Sequence, residues 1–402
     1  MSAIRMWREI THMRGLRHST TPISLLPMSR KIRVGVLGAG AWARNAHLPA
    51  FRRDPRCELV AIADPVDGRA AACAAEFEIP HALCSHTKLL ERDDLDLIDV
   101  CTPSATHFAL AMRAVEAGKH VLCEKPVADD FRDTKRAAAL AREKGLKTKL
   151  GFTFRYSPAV QYAKALIDEG FIGTPFMFNG YEQNSQWLNP SEPLRQEDHE
   201  ADQSVMQVSS MQSYGAPIMD IAHLCMGSRF DRVIGVMKNF IPERAVRATD
   251  RTMRMNIDDG DIFIGEFVNG AIGSIQTSYV TIGNYPGIEA RIYGSEGALI
   301  CRLVEENGIC ETIRAATPDD IEFRELDVPA RFYPTGGSSR ESWRTLYLAN
   351  LVGSFLTEIL SDGHENEGTF DDAAHVQELI NAVDRSCRTR EWTSIPLAAS
   401  NA

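Results

Sequence analysis

Glu124, Lys125 and Pro126 close the apolar run His120-Val121-Leu122-Cys123, and no other segment of this chain is better placed for proton chemistry. A buried parallel strand delivers the residues that follow it into the crevice at the carboxyl edge of its sheet. Proline fixes its own φ and restricts the preceding residue to extended backbone, so the Lys125 amine is aimed. A partly desolvated lysine there can take a proton from a hydroxyl or return one. A Lys-Pro pair after a strand is also a common solvated turn, and the choice depends on the elements leading up to it.

Those elements begin at Lys31. Residues 32–37 alternate into a short buried strand that runs into Gly38-Ala39-Gly40-Ala41-Trp42-Ala43, with G-x-G-x-x-G/A spacing. Gly38 permits the tight turn, Gly40 lets a pyrophosphate approach the backbone, and Ala43 lets helix and strand pack closely. The helix that follows, to about residue 51, presents free N–H groups and its positive dipole end to phosphates. A second strand, 58–63, ends in Asp64, where a carboxylate accepts hydrogen bonds from ribose hydroxyls. Strand, glycine loop, helix and acid in register predict a bound dinucleotide. Asp64 repels a 2′-phosphate and so favours NAD, whereas nearby Arg69 can pair with one and keeps NADP open.

The alternation continues through a helix at 70–77, a strand near 81–83, a helix capped by Ser85 and a strand at 95–100. That strand breaks into Cys101-Thr102-Pro103-Ser104-Ala105-Thr106-His107. A further helix ends at Gly118 before the strand that carries Glu124-Lys125-Pro126. Strands and helices alternating at this length predict a doubly wound parallel sheet.

On these residues the chain resembles the Gfo/Idh/MocA family, named for glucose–fructose oxidoreductase and inositol dehydrogenase. The similar segments are GVLGAGAWARNAHLPAF, the strand ending at Asp64, CTPSATHFALAMRAVEAGKHVLCEKP, GFTFRYSPAV, DIAHLCMGS and the closing stretch 370–396. The resemblance is dense over about 31–185 and patchier beyond. It implies an α/β chain in which a Rossmann domain, 31–152, precedes an α+β domain, 153–396, with a large, mostly antiparallel open sheet that forms a substrate wall. It places Gly38, Gly40, Ala41, Trp42 and Asp64 on the cofactor, Thr102, Pro103 and His107 along it, Glu124 and Lys125 beside the nicotinamide, and Arg155 close by. A local helix-start role for His107 competes with that assignment, and His47 reads as a packed helix residue.

One departure stands out. The family pattern is Asp, His four residues on, then Asp three beyond, all on one helix. The preferred register aligns Asp220 with the second Asp and puts Ser213 and Pro217 at the other two positions. A proline carries no proton, so Lys125 becomes the main acid/base, with Tyr214 and Asp220 near it. A rival register pairs Asp220 with His223 but shortens the helix by about a turn; a packing role for His223 is preferred. The resemblance implies an NAD(P)-dependent oxidoreductase acting on a secondary hydroxyl of a sugar, inositol or related polyol. The alternatives are an NAD-dependent glycosidase of the same fold and a non-catalytic nucleotide-binding regulator. A homodimer or homotetramer through the second sheet is expected.

Composition narrows the field. The chain has 402 residues and a net charge of -10, which argues against a nucleic-acid surface. Nine cysteines without a C-x-x-C or a His/Cys cluster suggest reduced thiols, no metal site and a cytoplasmic setting. No apolar run approaches membrane-spanning length, so no membrane partner is expected. Residues 1–30 hold five arginines against Glu9 alone. They read as an unstructured extension, with a targeting leader as the competing reading. In the second domain a helix at 157–169 precedes a strand at 175–181. Residues 186–212 form a long polar stretch that reads either as a substrate cover or as disorder. Strands follow at 232–240, 260–268, 271–280, 288–293 and 298–303, then helices at 341–360 and 371–388.

Overall fold

The computed structural model describes residues 30–192, 205–246, 249–361 and 367–398. The expected extension over 1–29 and the middle of the polar stretch, 193–204, lie outside them. Strand β1 (Ile32–Leu37) leads through a widened π-turn, Ala43–His47, into α1 (Leu48–Arg53). Then come β2 (Cys57–Ala63), α2 (Arg69–Phe77), β3 (His81–Leu83), α3 (His86–Leu90) and β4 (Leu97–Val100). The unit closes with α4 (His107–Glu116), β5 (His120–Cys123), α5 (Phe131–Glu143) and β6 (Thr148–Leu150). Its six strands are all parallel, in the order β3-β2-β1-β4-β5-β6. Helices cover both faces, so β4 is buried at every position. The order reverses between β1 and β4, and that switch point opens a crevice beyond the strands' carboxyl ends.

Helix α6 (Pro158–Asp168), capped by Ser157, opens the second unit. It continues with β7 (Pro175–Gln183), α7 (Ala216–Met226), β8 (Phe230–Lys238) and a small hairpin of β9 (Glu243–Ala245) and β10 (Thr252–Arg254). Strands β11 (Gly260–Phe267), β12 (Ile272–Ser278), β13 (Pro286–Gly294), β14 (Ala298–Val304), β15 (Thr312–Ala316) and β16 (Arg324–Glu325) follow. After α8 (Trp343–Leu360) and α9 (Phe370–Thr389), the strand β17 (Thr393–Ser394) completes a nine-stranded sheet. Its order is β16-β15-β14-β13-β7-β12-β11-β8-β17, antiparallel except for the parallel pair β7 and β12. The fold class is the expected one.

Alternation along β7 turns Phe178, Gly180 and Glu182 to the covered face. There α7 lies so close that a Cβ at Gly180 would sit 2.7 Å from Ile218. The other face leaves Val236, Ile262, Ile264 and Ile272 exposed. Helix α8 returns to the first unit, where Arg56 donates to Thr357 Oγ1 at 2.7 Å and Arg53 pairs with Glu341 at 2.8 Å. The helix and the turn before it are thereby docked on the first unit.

Two elements depart from the pattern of the sequence for one reason, a buried charge. The three-residue β6 carries Lys149, fully buried and paired with Glu358 at 2.5 Å. Strand β7 runs two residues past the expected end at 181, and the added inward position is Glu182. Strands β15, β16 and β17 are short and owe their conformation to partners already in the sheet.

Candidate active site

Three loops, after β1, β4 and β5, frame the crevice. Gly38 turns the first at φ +98°, and a Cβ there would collide with the Cys101 carbonyl. Gly40 faces open space, with nothing within 4 Å of where its Cβ would lie. Ala41 and Trp42 open the helix, whose first amides lack intrahelical partners. Asp64, 4% exposed, accepts from the Ala39 and Val66 amides at 2.9 Å each. Arg69 stands 3.5 Å from the same carboxylate, so the arginine that could have met a 2′-phosphate is already drawn to Asp64. A bare backbone, free helix amides and a braced acid fit a nicotinamide dinucleotide.

Thr102 and Pro103 lie at the edge of the second loop. His107 is buried beneath it, with Nδ1 2.7 Å from the Pro126 carbonyl and Nε2 2.7 Å from the Thr102 carbonyl. The ring thus sits between carbonyls of the second and third loops, donating to one or the other according to its tautomer, and its nearest polar neighbours are backbone.

Glu124 anchors the third loop through contacts that the sequence does not announce. Its Oε1 accepts from Trp42 Nε1 at 3.0 Å and meets His47 Nε2 at 3.1 Å. His47 Nδ1 lies 3.0 Å from Asp99 on β4. His47, Asp99 and Glu124 are buried, Trp42 partly so, and a Cβ at Gly151 would collide with the Glu124 carboxylate. Burial opposes a charge on His47, but the Asp99 carboxylate outweighs it and lifts the imidazole well above its ordinary 6.5. Burial likewise favours neutral Glu124, yet the His47 hydrogen bond and charge hold it below the usual carboxylate range. The imidazolium clamps two carboxylates from β4 and the β5 loop. Because its native pKa is raised, the stability it contributes is complete below the unfolded value and lost as pH rises through the native one. Urea midpoints taken from neutral to alkaline pH are expected to fall more steeply for the wild type than for His47→Gln; parallel slopes would refute the clamp.

Lys125 follows, and its peptide bond to Pro126 is cis. The ammonium lies over the Tyr214 ring, 5.3 Å from its centroid, and donates to the Ser213 carbonyl. That carbonyl is free of one usual partner, since Pro217, four residues on, has no N–H to offer it. Ser213 and Tyr214 belong to a second π-turn, Met211–Gly215, which enters α7. Asp258 steadies its start by accepting from the Ser210 and Met211 amides at 3.1 and 2.8 Å. Burial pushes Lys125 below its ordinary 10.5, against the pull of Glu124 and Glu182.

Glu182 belongs to this group, and sequence reasoning missed it. It is 1% exposed, receives the Tyr279 hydroxyl on Oε1 at 3.3 Å, and its Oε2 has no partner among the described residues. Tyr279 packs on Tyr214 at 3.5 Å between centroids, and Trp187 packs on both rings. The two-residue alternation from Phe178 and Gly180 was the available signal; an acid at an inward position obscured it.

Asp220 is held elsewhere. It pairs with Arg155 through two hydrogen bonds, with Nε to Oδ2 at 2.7 Å, and both side chains are buried. Burial outweighs the arginine and leaves the Asp220 carboxyl pushed up to about 6. His223 packs on Phe230 and lines a cavity of about 320 Å³ with Arg155, Asp220, Arg229, Asp372 and His375. Burial pushes its imidazole down to about 3. Of the four expected proton-handling residues, Lys125 and Tyr214 are in contact, while Asp220 and His223 border the other cavity.

The family model described as "Oxidoreductase family, NAD-binding Rossmann fold" matches residues 32–152, and a second, "GFO/IDH/MocA C-terminal domain", matches 160–300. A levoglucosan dehydrogenase from Pseudarthrobacter phenanthrenivorans is 25% identical over 397 residues, covering 91% of this chain and 99% of the relative. The scyllo-inositol 2-dehydrogenase (NAD(+)) of Bacillus subtilis is 28% identical over 275 residues, 68% of this chain and 74% of the relative. A solved levoglucosan dehydrogenase complexed with NADH and levoglucosan superposes with a TM-score of 0.80 at 23% identity, over 92% of this chain and all of that one.

Proposed function

This chain belongs to the Gfo/Idh/MocA family of NAD-binding oxidoreductases, and from that premise we propose that it oxidises a secondary hydroxyl of a sugar, inositol or related polyol with NAD. The observation that carries the proposal is the Lys125 amine, desolvated at the crevice mouth and set over Tyr214 beside a wall of Trp187, Tyr279 and Glu182. Aromatic faces pack against the C–H faces of a polyol while polar groups between them take its hydroxyls. Relatives named for levoglucosan and scyllo-inositol support the same substrate class.

When bound, NAD supplies the hydride acceptor. The chain does the rest: the glycine loop and Asp64 hold the dinucleotide, and Glu124 fixes the turn that aims Lys125. Lys125 takes the hydroxyl proton at Nζ. With its ammonium form disfavoured by burial, the oxidation rate is expected to rise with pH through one ionisation below the ordinary lysine range. Sugars and polyols screened with NAD and NADP, reading reduced-cofactor absorbance, test the proposal. NADH formation with a polyol supports it; no net reduction but cleavage of a glycoside would replace it with the glycosidase reading. The exposed apolar face formed by Val236, Ile262, Ile264 and Ile272 supports assembly of two or four copies through the nine-stranded sheet. Sedimentation of the wild type against Ile262→Lys checks this, with dissociation as the expected result.

A further inference from the structure

Gln377 takes no part in the chemistry above, yet it touches both of the segments on which that chemistry depends. It lies on α9, is 4% exposed, and donates from Nε2 to the Asp129 carbonyl at 2.8 Å. The same nitrogen stands 3.5 Å from Gln212 Oε1. One helical turn further, Asn381 Nδ2 reaches the Asp129 carbonyl at 3.2 Å, while its Oδ1 accepts from the Phe131 amide at 3.2 Å. Gln212 closes the ring by donating from Nε2 to the Asp129 carboxylate. Each side-chain amide has one orientation that satisfies it, because a carbonyl or carboxylate requires the nitrogen and the Phe131 N–H requires the oxygen. Asp129 belongs to the β5 loop that carries Lys125, and Gln212 stands beside Ser213 and Tyr214 in the π-turn. The stretch from Lys125 to Asp129 is short and held, with the Pro126 carbonyl 2.7 Å from His107 Nδ1 and Val127 buried.

We propose that Gln377 is a positioning residue for the reaction: it sets the gap between the β5 loop and the π-turn, and with it the place of the Lys125 amine over Tyr214. The two segments are joined by Lys125 to the Ser213 carbonyl and by Gln212 to the Asp129 carboxylate. The first join weakens when the amine stands neutral to receive a proton, because its hydrogen bond loses the assistance of the charge. The Asp129 junction keeps its strength in both states, and Gln377 lies under it. Helix α9 is a firm base, since Thr369 and Asp372 form its capping box and Lys135 from α5 pairs with Glu378 at 2.8 Å. An amine on a long flexible stem is only as well placed as the segments that bracket it, and a misplacement of about 1 Å costs up to about 10²-fold in rate. The inference rests on the oxidoreductase reading for its effect on rate, and on these contacts alone for its effect on the two segments.

Gln377→Met keeps the length of the side chain and removes the amide, and Asn381 still serves the Asp129 carbonyl, so the fold is expected to hold. Hydrogen exchange on the protein without cofactor, followed by mass spectrometry, is expected to quicken in peptides spanning 124–131 and 209–215 and to stay unchanged across β1 to β4. With an active substrate, kcat is expected to fall by about 10-fold with KM for NAD unchanged. In a Lys125→Met background, Gln377→Met is expected to lower the residual rate no further, whereas a residue that only supports the fold lowers both backgrounds alike. Gln212→Leu, nearer the surface, is expected to reproduce the loss of rate. Exchange that is unaltered in the two segments, or faster throughout the chain, overturns the proposal whether or not a substrate is known. A kcat left at the wild-type value overturns it too, as does an equal further loss in Lys125→Met. Failure of every polyol in the screen strikes at the oxidoreductase reading, and the exchange result still decides whether Gln377 holds the two segments.

Discussion

Lys125→Met is expected to lower kcat by about 10³-fold while leaving NAD affinity within a few-fold of the wild type. The lysine contributes through its nitrogen, and methionine matches its length and apolar stem without a proton-accepting amine. The cofactor site is held by other groups: the glycine loop, the helix amides, and Asp64 braced by Ala39 and Val66. The Glu124 anchor does not use the lysine side chain, because His47 and Trp42 hold it. Quenching of tryptophan fluorescence on NAD addition, with Trp42 at the loop, reports affinity, and reduced-cofactor absorbance reports turnover. Turnover persisting near the wild-type rate would remove Lys125 from its assigned role.

Asp220→Ala is expected to act on stability first, by about 3–5 kcal/mol. The loss arises because Arg155 is left buried, 4% exposed, with its bidentate partner gone and only Asp372, 3.9 Å away, to answer its charge. An arginine cannot discard its proton to escape that position. Urea denaturation measures the loss. The companion variant, His223→Ala, is expected to turn over at a near-normal rate, since His223 lines the Arg155 cavity and shares no contact with Lys125. Loss of several orders of magnitude in His223→Ala, with folding and NAD binding intact, would reinstate the Asp220–His223 register. On the same helix Pro217 offers no N–H to the Ser213 carbonyl, which accepts from Lys125 instead.

The sequence by itself determined whatever is written locally. The glycine loop, the alternating strands to Cys123 and the aimed Lys125 each depend on backbone conformations that a few neighbouring residues dictate, so they can be read from spacing alone. The same holds for most of the second sheet, where two-residue alternation survives along β11, β12 and β14. What only the tertiary structure decided are the buried charges. His47 looks like a packed helix residue until β4 brings Asp99 to one nitrogen and the β5 loop brings Glu124 to the other. Asp220 looks like an acid set beside Lys125 until Arg155, 65 positions earlier, takes both its oxygens. Glu182 looks like the first residue past a strand until the Tyr279 hydroxyl reaches it from a distant segment. An ionisable side chain enters a protein interior only when partners far away in the chain compensate its desolvation, and no local pattern records where those partners will come from.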